Sequence, residues 1–150
     1  MKAPCGQLRV LIADDHAAFR DELRALLGRE GFLVVGSVPD GEQAVRQAGE
    51  LRPDVALLDL AMPGLNGLDV AQALRKVSPQ TKSILLTSRS EVCCVLASFR
   101  AGITGYVLKS RIPDGLVRAI QSVSAGTPFL SEELHAPVLY ALLADGRRGA

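Results

Sequence analysis

Asp59 ends an unbroken apolar run, Val55 to Leu58, and stands before the turn-forming stretch Pro63 to Gly67. Two more carboxylates, Asp14 and Asp15, follow a second apolar run, "LRVLIA" (8–13), while Thr87 and Lys109 end two others. Three carboxylates crowded together repel and take up protons unless a cation balances them. A hard, oxygen-preferring ion such as Mg²⁺ suits carboxylates, a backbone carbonyl and water. One ammonium and one hydroxyl added to that set can hold the oxygens of a phosphoryl group. With one oxygen on the metal, Asp59 can attack phosphorus with the other, and the chemistry is then formation of an aspartyl phosphate.

For this to happen, the fold must bring four separated points of the chain together. Five short apolar runs recur: 8–13, "FLVVGS" (32–37), "DVALLD" (54–59), "KSILLT" (82–87) and "GYVLK" (105–109). They are rich in Val, Ile and Leu with little alternation, as expected of strands covered on both faces in a parallel sheet. Helical spacing fills the gaps, with Phe19, Leu23, Leu26 and Leu27 on one stripe, Ala44, Val45, Ala48 and Leu51 on another, and Leu116, Ile120 and Val123 on the last. Gly31 and Gly102 sit where left-handed helix ends are wanted, and Asp40, Asn66 and Asp114 sit near helix starts. The alternation predicts an α/β fold with a five-stranded parallel sheet, doubly wound, whose binding site lies at the carboxyl ends of the strands. Asp14, Asp15, Asp59, Thr87 and Lys109 all fall on that rim.

Composition narrows the function. Hydrophobic residues make up 48% of the 150-residue chain, charged residues 22%, and the formal net charge is +1. That is an ordinary globular balance with no polyanion-binding signature, so direct nucleic-acid binding is not expected. No apolar stretch approaches the ~20 residues that span a bilayer, and "MKAPCGQL" lacks the apolar centre of a signal peptide. The expected location is cytoplasmic. Cys5, Cys93 and Cys94 have no metal-site spacing and are read as reduced thiols.

Taken together, "LIADDH" (11–16), "LLDLAMPGLNGLDV" (57–70), "LLTS" (85–88) and "GYVLKS" (105–110) resemble the receiver domain of two-component response regulators. The resemblance runs from residue 8 to about 126 and implies strand order 2-1-3-4-5. It further implies that Asp59 accepts a phosphoryl group from the phosphohistidine of a histidine kinase. By the same resemblance Asp15 binds Mg²⁺ directly, Asp14 largely through water, and the backbone carbonyl of Ala61 completes the protein ligands. Lys109 then pairs with the phosphate and Thr87 hydrogen-bonds it. Tyr106 falls at the aromatic switch position, its ring turning inward as Thr87 moves.

Ser110 follows the lysine where many receivers have proline; this, "DDH" and "GTPFLSEEL" resemble the NarL or LuxR branch, whose members carry a helix-turn-helix output. Residues 7–126 are thus expected to form the receiver, and 127–150 a linker and helical tail too short for that output. A receiver cut from a longer DNA-binding regulator is favoured over a stand-alone one, with DNA reached only through the missing domain. A homodimer is a further expectation. Within the tail, Leu139, Leu142 and Leu143 give a partial stripe, Pro137 is expected to kink or restart the helix, and residues 131–145 should dock on the domain or form a dimer contact through Leu139 and Leu143.

Two other functions compete. Phosphatases of the haloacid dehalogenase type also use a strand-end aspartate nucleophile, but a resemblance to them would imply a second aspartate two residues later, where this chain has Ala61, so an enzyme is not expected. A phosphorylation-independent receiver-like interaction module would keep the fold without the chemistry. His16 reads as a first-turn helix residue outside the metal set. Arg89, two residues past Thr87, is expected to tune the lifetime of the phosphorylated state.

Overall fold

The computed structural model describes residues 6–149, with side chains described as far as Asp145; Cys5 lies outside that range. The strands are β1 (Arg9–Ala13), β2 (Leu33–Val38), β3 (Val55–Asp59), β4 (Lys82–Thr87), β5 (Gly105–Leu108) and β6 (Phe129–Leu130). They form one parallel sheet in the order β2-β1-β3-β4-β5-β6. The expected doubly wound order is present, extended by a short strand from the segment that the sequence reading assigns to the tail.

Alternate side chains of each central strand point to opposite faces, and helices cover both. Leu11, Ala13, Ala56, Leu58, Leu85, Tyr106 and Leu108 meet the buried residues of α2 (Gly41–Leu51), α3 (Gly67–Val77) and α4 (Val92–Arg100). On the other face Val10, Ile12, Val55, Leu57, Ile84, Leu86 and Val107 meet those of α1 (Ala17–Arg29) and α5 (Asp114–Ser124). Strands buried on both sides explain why their sequences show little alternation.

Helix boundaries follow local chemistry. Asp40 caps α2 by accepting from the Gln43 amide at 2.9 Å, and Asn66 and Asp69 form a reciprocal capping box at the start of α3. Gly31 and Gly102 have φ of 88° and 106°, as a left-handed chain reversal requires. Asp114 is the first residue of α5 rather than its cap, a place taken by Pro113.

The tail continues the domain. After β6 come a 3₁₀ turn (Glu132–Leu134) and α6 (His135–Gly149). Pro137 lies in the first turn of α6, where its missing N–H costs no intrahelical bond, so the helix is neither kinked nor restarted there. Leu134 and Val138 are buried in the same cluster as Val95 of α4 and Tyr106. Docking therefore uses Leu134 and Val138, while Leu139 and Leu143 remain 57% and 56% exposed. None of the described helices is long and apolar enough to cross a membrane.

Candidate functional site

Strand register builds the site. Ala13 pairs with Leu58, so Asp14 lies level with Asp59; Asp59 itself pairs with Leu86, one residue before Thr87. Thr87 pairs with Leu108, and Lys109 follows directly. Four strands thus deliver their last or next residue to one rim. Gly67 at the start of α3 tightens it, since a Cβ there would stand 2.7 Å from the main-chain oxygen of Asp59. The Gly67 amide donates to the carbonyl of Leu60 and closes the intervening loop.

Lys109 Nζ is the hub, 3.3 Å from Asp14 Oδ2 and 3.4 Å from Asp59 Oδ1. Its ammonium also lies 4.6 Å from the centre of the Phe19 ring, a cation–π contact that holds the chain in place. Asp14 is buried and fixed from several sides: its amide donates to the Val38 carbonyl, its carbonyl accepts from Arg20, and its carboxylate accepts from the His16 amide at 2.8 Å. Asp15 is more open to solvent. Burial, and then the neighbouring Asp14, push the Asp59 carboxyl above its ordinary value, with Lys109 and the Ala61 amide opposing.

One ammonium stands against three carboxylates, and the arrangement favours a further cation. Single oxygens of Asp14, Asp15 and Asp59 and one nitrogen of His16 lie within 4.8 Å of one another, close enough to share one ion. The oxygens are the donors that a hard divalent ion takes. His16 stands at the N-cap of α1 with its imidazole beside these oxygens. Its Nδ1 lies 3.1 Å from Asp15 Oδ1 and 3.3 Å from Asp14 Oδ1, which brings it into the acidic set. Adjacency to Asp15 was the available signal; the strand-to-helix turn that folds the ring back was not readable.

Thr87 is buried, and its Oγ1 accepts from the Arg89 amide at 3.0 Å. Tyr106 is fully buried, and its hydroxyl donates to the Arg89 carbonyl at 2.8 Å, so the ring is already turned inward in this state and does not wait on a movement of Thr87 as the sequence implied. Burial pushes the phenol up to about 12, with Cys94 and Glu91 adding to the effect. Arg89 therefore matters through its main chain, held between Thr87 and Tyr106, a role the sequence reading missed. Its guanidinium is exposed and lies 3.8 Å from Glu91. Cys93 and Cys94 are free thiols on α4. A separate cleft of about 310 Å³ opens between Ser110–Gly115 and Glu132–Glu133, and none of the carboxylates of the acidic set lines it.

An acidic dish at the carboxyl end of a doubly wound parallel sheet, with one lysine across it, defines a class of phospho-acceptor switch domains. The sequence signature of the response regulator receiver domain matches residues 10–121, and the chain belongs to that family. It is 36% identical over 139 residues to the nitrate/nitrite response regulator protein NarL of Escherichia coli, an alignment covering 92% of this chain and 64% of that protein. Against the chemotaxis protein CheY of Thermotoga maritima it is 33% identical over 116 residues, covering 77% of this chain and 97% of the other.

Among solved structures, a two-component response regulator of the LuxR family from an Aurantimonas species superposes with a TM-score of 0.87 at 30% identity, covering 91% of this chain and 99% of that one. The receiver domain of a NarL response regulator from Mycobacterium tuberculosis gives 0.75 at 35% identity, covering 80% and 98%. The chain spans less than two thirds of the length of NarL, and receivers of this family act as signalling switches within two-component systems.

Proposed function

We propose that the protein is a switch operated by phosphorylation of Asp59, with residues 7–126 as the receiver and 127–150 as its tail. The observation that carries this reading is Lys109 Nζ bridging Asp14 and Asp59 at 3.3 and 3.4 Å beside a third carboxylate. In the proposed reaction an Asp59 oxygen forms a bond to phosphorus as the bond between phosphorus and a kinase histidine breaks, leaving the electron pair on the imidazole nitrogen. Asp14, Asp15, Asp59 and the carbonyl of Ala61 would hold Mg²⁺, which when bound supplies positive charge against the phosphoryl oxygens. Lys109 exchanges its carboxylate partners for a phosphoryl oxygen, and Thr87 turns its hydroxyl to another.

Because Thr87 Oγ1 is occupied by the Arg89 amide, that movement releases the N–H of the residue whose carbonyl accepts from Tyr106. The loop before α4 is then free to repack, a local charge event with a surface readout. The partners in this reading are a cytoplasmic histidine kinase and, in a longer regulator of the NarL type, promoter DNA reached through an output domain.

Intact mass after incubation with Mg²⁺ and acetyl phosphate tests the proposal. The native chain should gain about 80 Da, the mass of one phosphoryl group, and Asp59→Asn should not. A chain that gains nothing under these conditions would instead be a phosphorylation-independent interaction module of the same fold.

A further inference from the structure

Phosphorylation of Asp59 as derived above uses Asp14, Asp15, Asp59 and Lys109, and it leaves His16, the remaining member of the cluster, without a part. The residue holds the N-cap position of α1, where Ser, Thr, Asp and Asn serve because their side chains accept from the amides of the first turn. His16 makes no such bond. Its backbone is extended, at φ −94° and ψ 106°, and the ring lies back against the carboxylates. The side chain is 73% exposed, so it neither caps the helix nor fills the core. Its one set of polar contacts is with the acidic pair, Nδ1 standing 3.1 Å from Asp15 Oδ1 and 3.3 Å from Asp14 Oδ1.

Those separations match the edges of a metal coordination shell. With bonds of ~2.0–2.1 Å, two donors on a four-coordinate ion stand about 3.3 Å apart, and neighbours on a six-coordinate ion about 3.0 Å. The carboxylates keep oxygens to complete such a shell. Lys109 pairs with Asp14 Oδ2 and Asp59 Oδ1, which leaves Asp14 Oδ1 and the second oxygen of Asp59 for an ion. Asp14 Oδ1 also accepts the His16 amide at 2.8 Å, which ties the ring's own backbone to the site. Three carboxylate oxygens and one imidazole nitrogen, all within 4.8 Å of one another, make a mixed donor set. Mg²⁺ takes oxygen, whereas imidazole suits Zn²⁺ and its first-row neighbours.

We propose that His16 Nδ1 is a ligand of this cation site and turns its preference from Mg²⁺ towards a first-row transition ion, Zn²⁺ foremost. The inference rests on the reading that Asp14, Asp15 and Asp59 hold a divalent cation, and it adds the residue that selects which one. The ring binds neutral, with its proton on Nε2 and the Nδ1 lone pair on the metal. The competing arrangement is a protonated ring that is merely paired with Asp14 and Asp15. Removing the ring separates the two. A lost ligand weakens the transition ion alone, while a lost positive charge strengthens every divalent ion.

NMR titration of the nitrogen-15-labelled full chain with ZnCl₂, and separately with MgCl₂, tests the proposal. The amides of Asp15 and Asp59 report occupancy, and the imidazole nitrogens of His16 report ligation. Reading the site itself keeps any Zn²⁺ held by the free thiols Cys93 and Cys94 out of the measurement. The expected result is that Zn²⁺ moves His16 Nδ1 in step with the two amides, while His135, the chain's other histidine, stays unchanged. Mg²⁺ should move the amides without that Nδ1 signature. His16→Ala should raise the Kd for Zn²⁺ by about tenfold or more and that for Mg²⁺ by less than about twofold. If the alanine variant disturbs α1, His16→Asn restores a capping side chain and should show the same selective loss.

Equal losses for both ions, no loss for Zn²⁺, or tighter binding of both after the ring is removed overturns the proposal. Failure of the underlying reading looks different: neither ion then moves the Asp15 and Asp59 amides of the native chain, and the role of His16 falls with it.

Discussion

At the scale of single residues, the ionised form of Asp59 is held at a cost to stability. Burial and Asp14 raise its pKa in the fold, while the unfolded chain titrates near the ordinary value of 3.8. The folded state therefore resists ionisation of Asp59, a penalty present in full at pH values above the folded pKa and absent below about pH 3.8. In EDTA, Asp59→Asn should melt at a higher temperature than the native chain at pH 7, with the advantage shrinking as pH falls towards 3.8. Equal melting temperatures at pH 7 would contradict this electrostatic account. Tyr106→Phe keeps the ring but orphans the Arg89 carbonyl, and should cost about 1–2 kcal/mol by urea denaturation. Arg89→Ala leaves both main-chain bonds in place, so stability should stay within about 0.5 kcal/mol. A change in the decay rate of the phosphorylated mass would then belong to the side chain itself, and an unchanged rate would end the idea that Arg89 tunes it.

Elements show what was legible in the sequence and what was not. Asp40 and Asn66 could be read as caps because their hydrogen bonds are made within three residues. Asp14, Asp59, Thr87 and Lys109 could be read as one rim because parallel strands share a direction and their apolar runs end abruptly. β6 could not, since two residues carry no periodicity; it exists because Phe129 and Ser131 donate their amides to Thr104 and Tyr106. The face of α6 that docks was equally hidden, as a stripe on each side leaves no hydrophobic direction to choose. Register alone decides that Val138 turns in and Leu139 out. Gly67 belongs to this scale too. Its hydrogen lets α3 begin against the Asp59 carbonyl and Leu85, and Gly67→Ala, with a methyl 2.7 Å from both, should cost about 1–3 kcal/mol in chemical denaturation by forcing that loop apart.

For the molecule as a whole, the tail has two faces with different energetic roles, and they can be separated by experiment. Its inner face completes the core: Leu134 and Val138 fill the cluster that contains Tyr106 and Val95, and Ser131 bonds to both ends of the Tyr106–Leu108 segment. Two buried aliphatic side chains contribute about 3–6 kcal/mol together, a large share of the roughly 5–15 kcal/mol that holds a typical domain. Deleting residues 131–150 should therefore lower the melting temperature markedly and, by uncovering Val95 and Leu108, leave a chain prone to association through new apolar surface. Glutamate substitutions at Leu139 and Leu143 touch only the exposed outer face and should leave the melting temperature nearly unchanged. If deletion instead leaves stability intact, α6 is an appendage and the packing argument fails. If the glutamates destabilise the isolated protomer as much as the deletion does, the two faces are not independent.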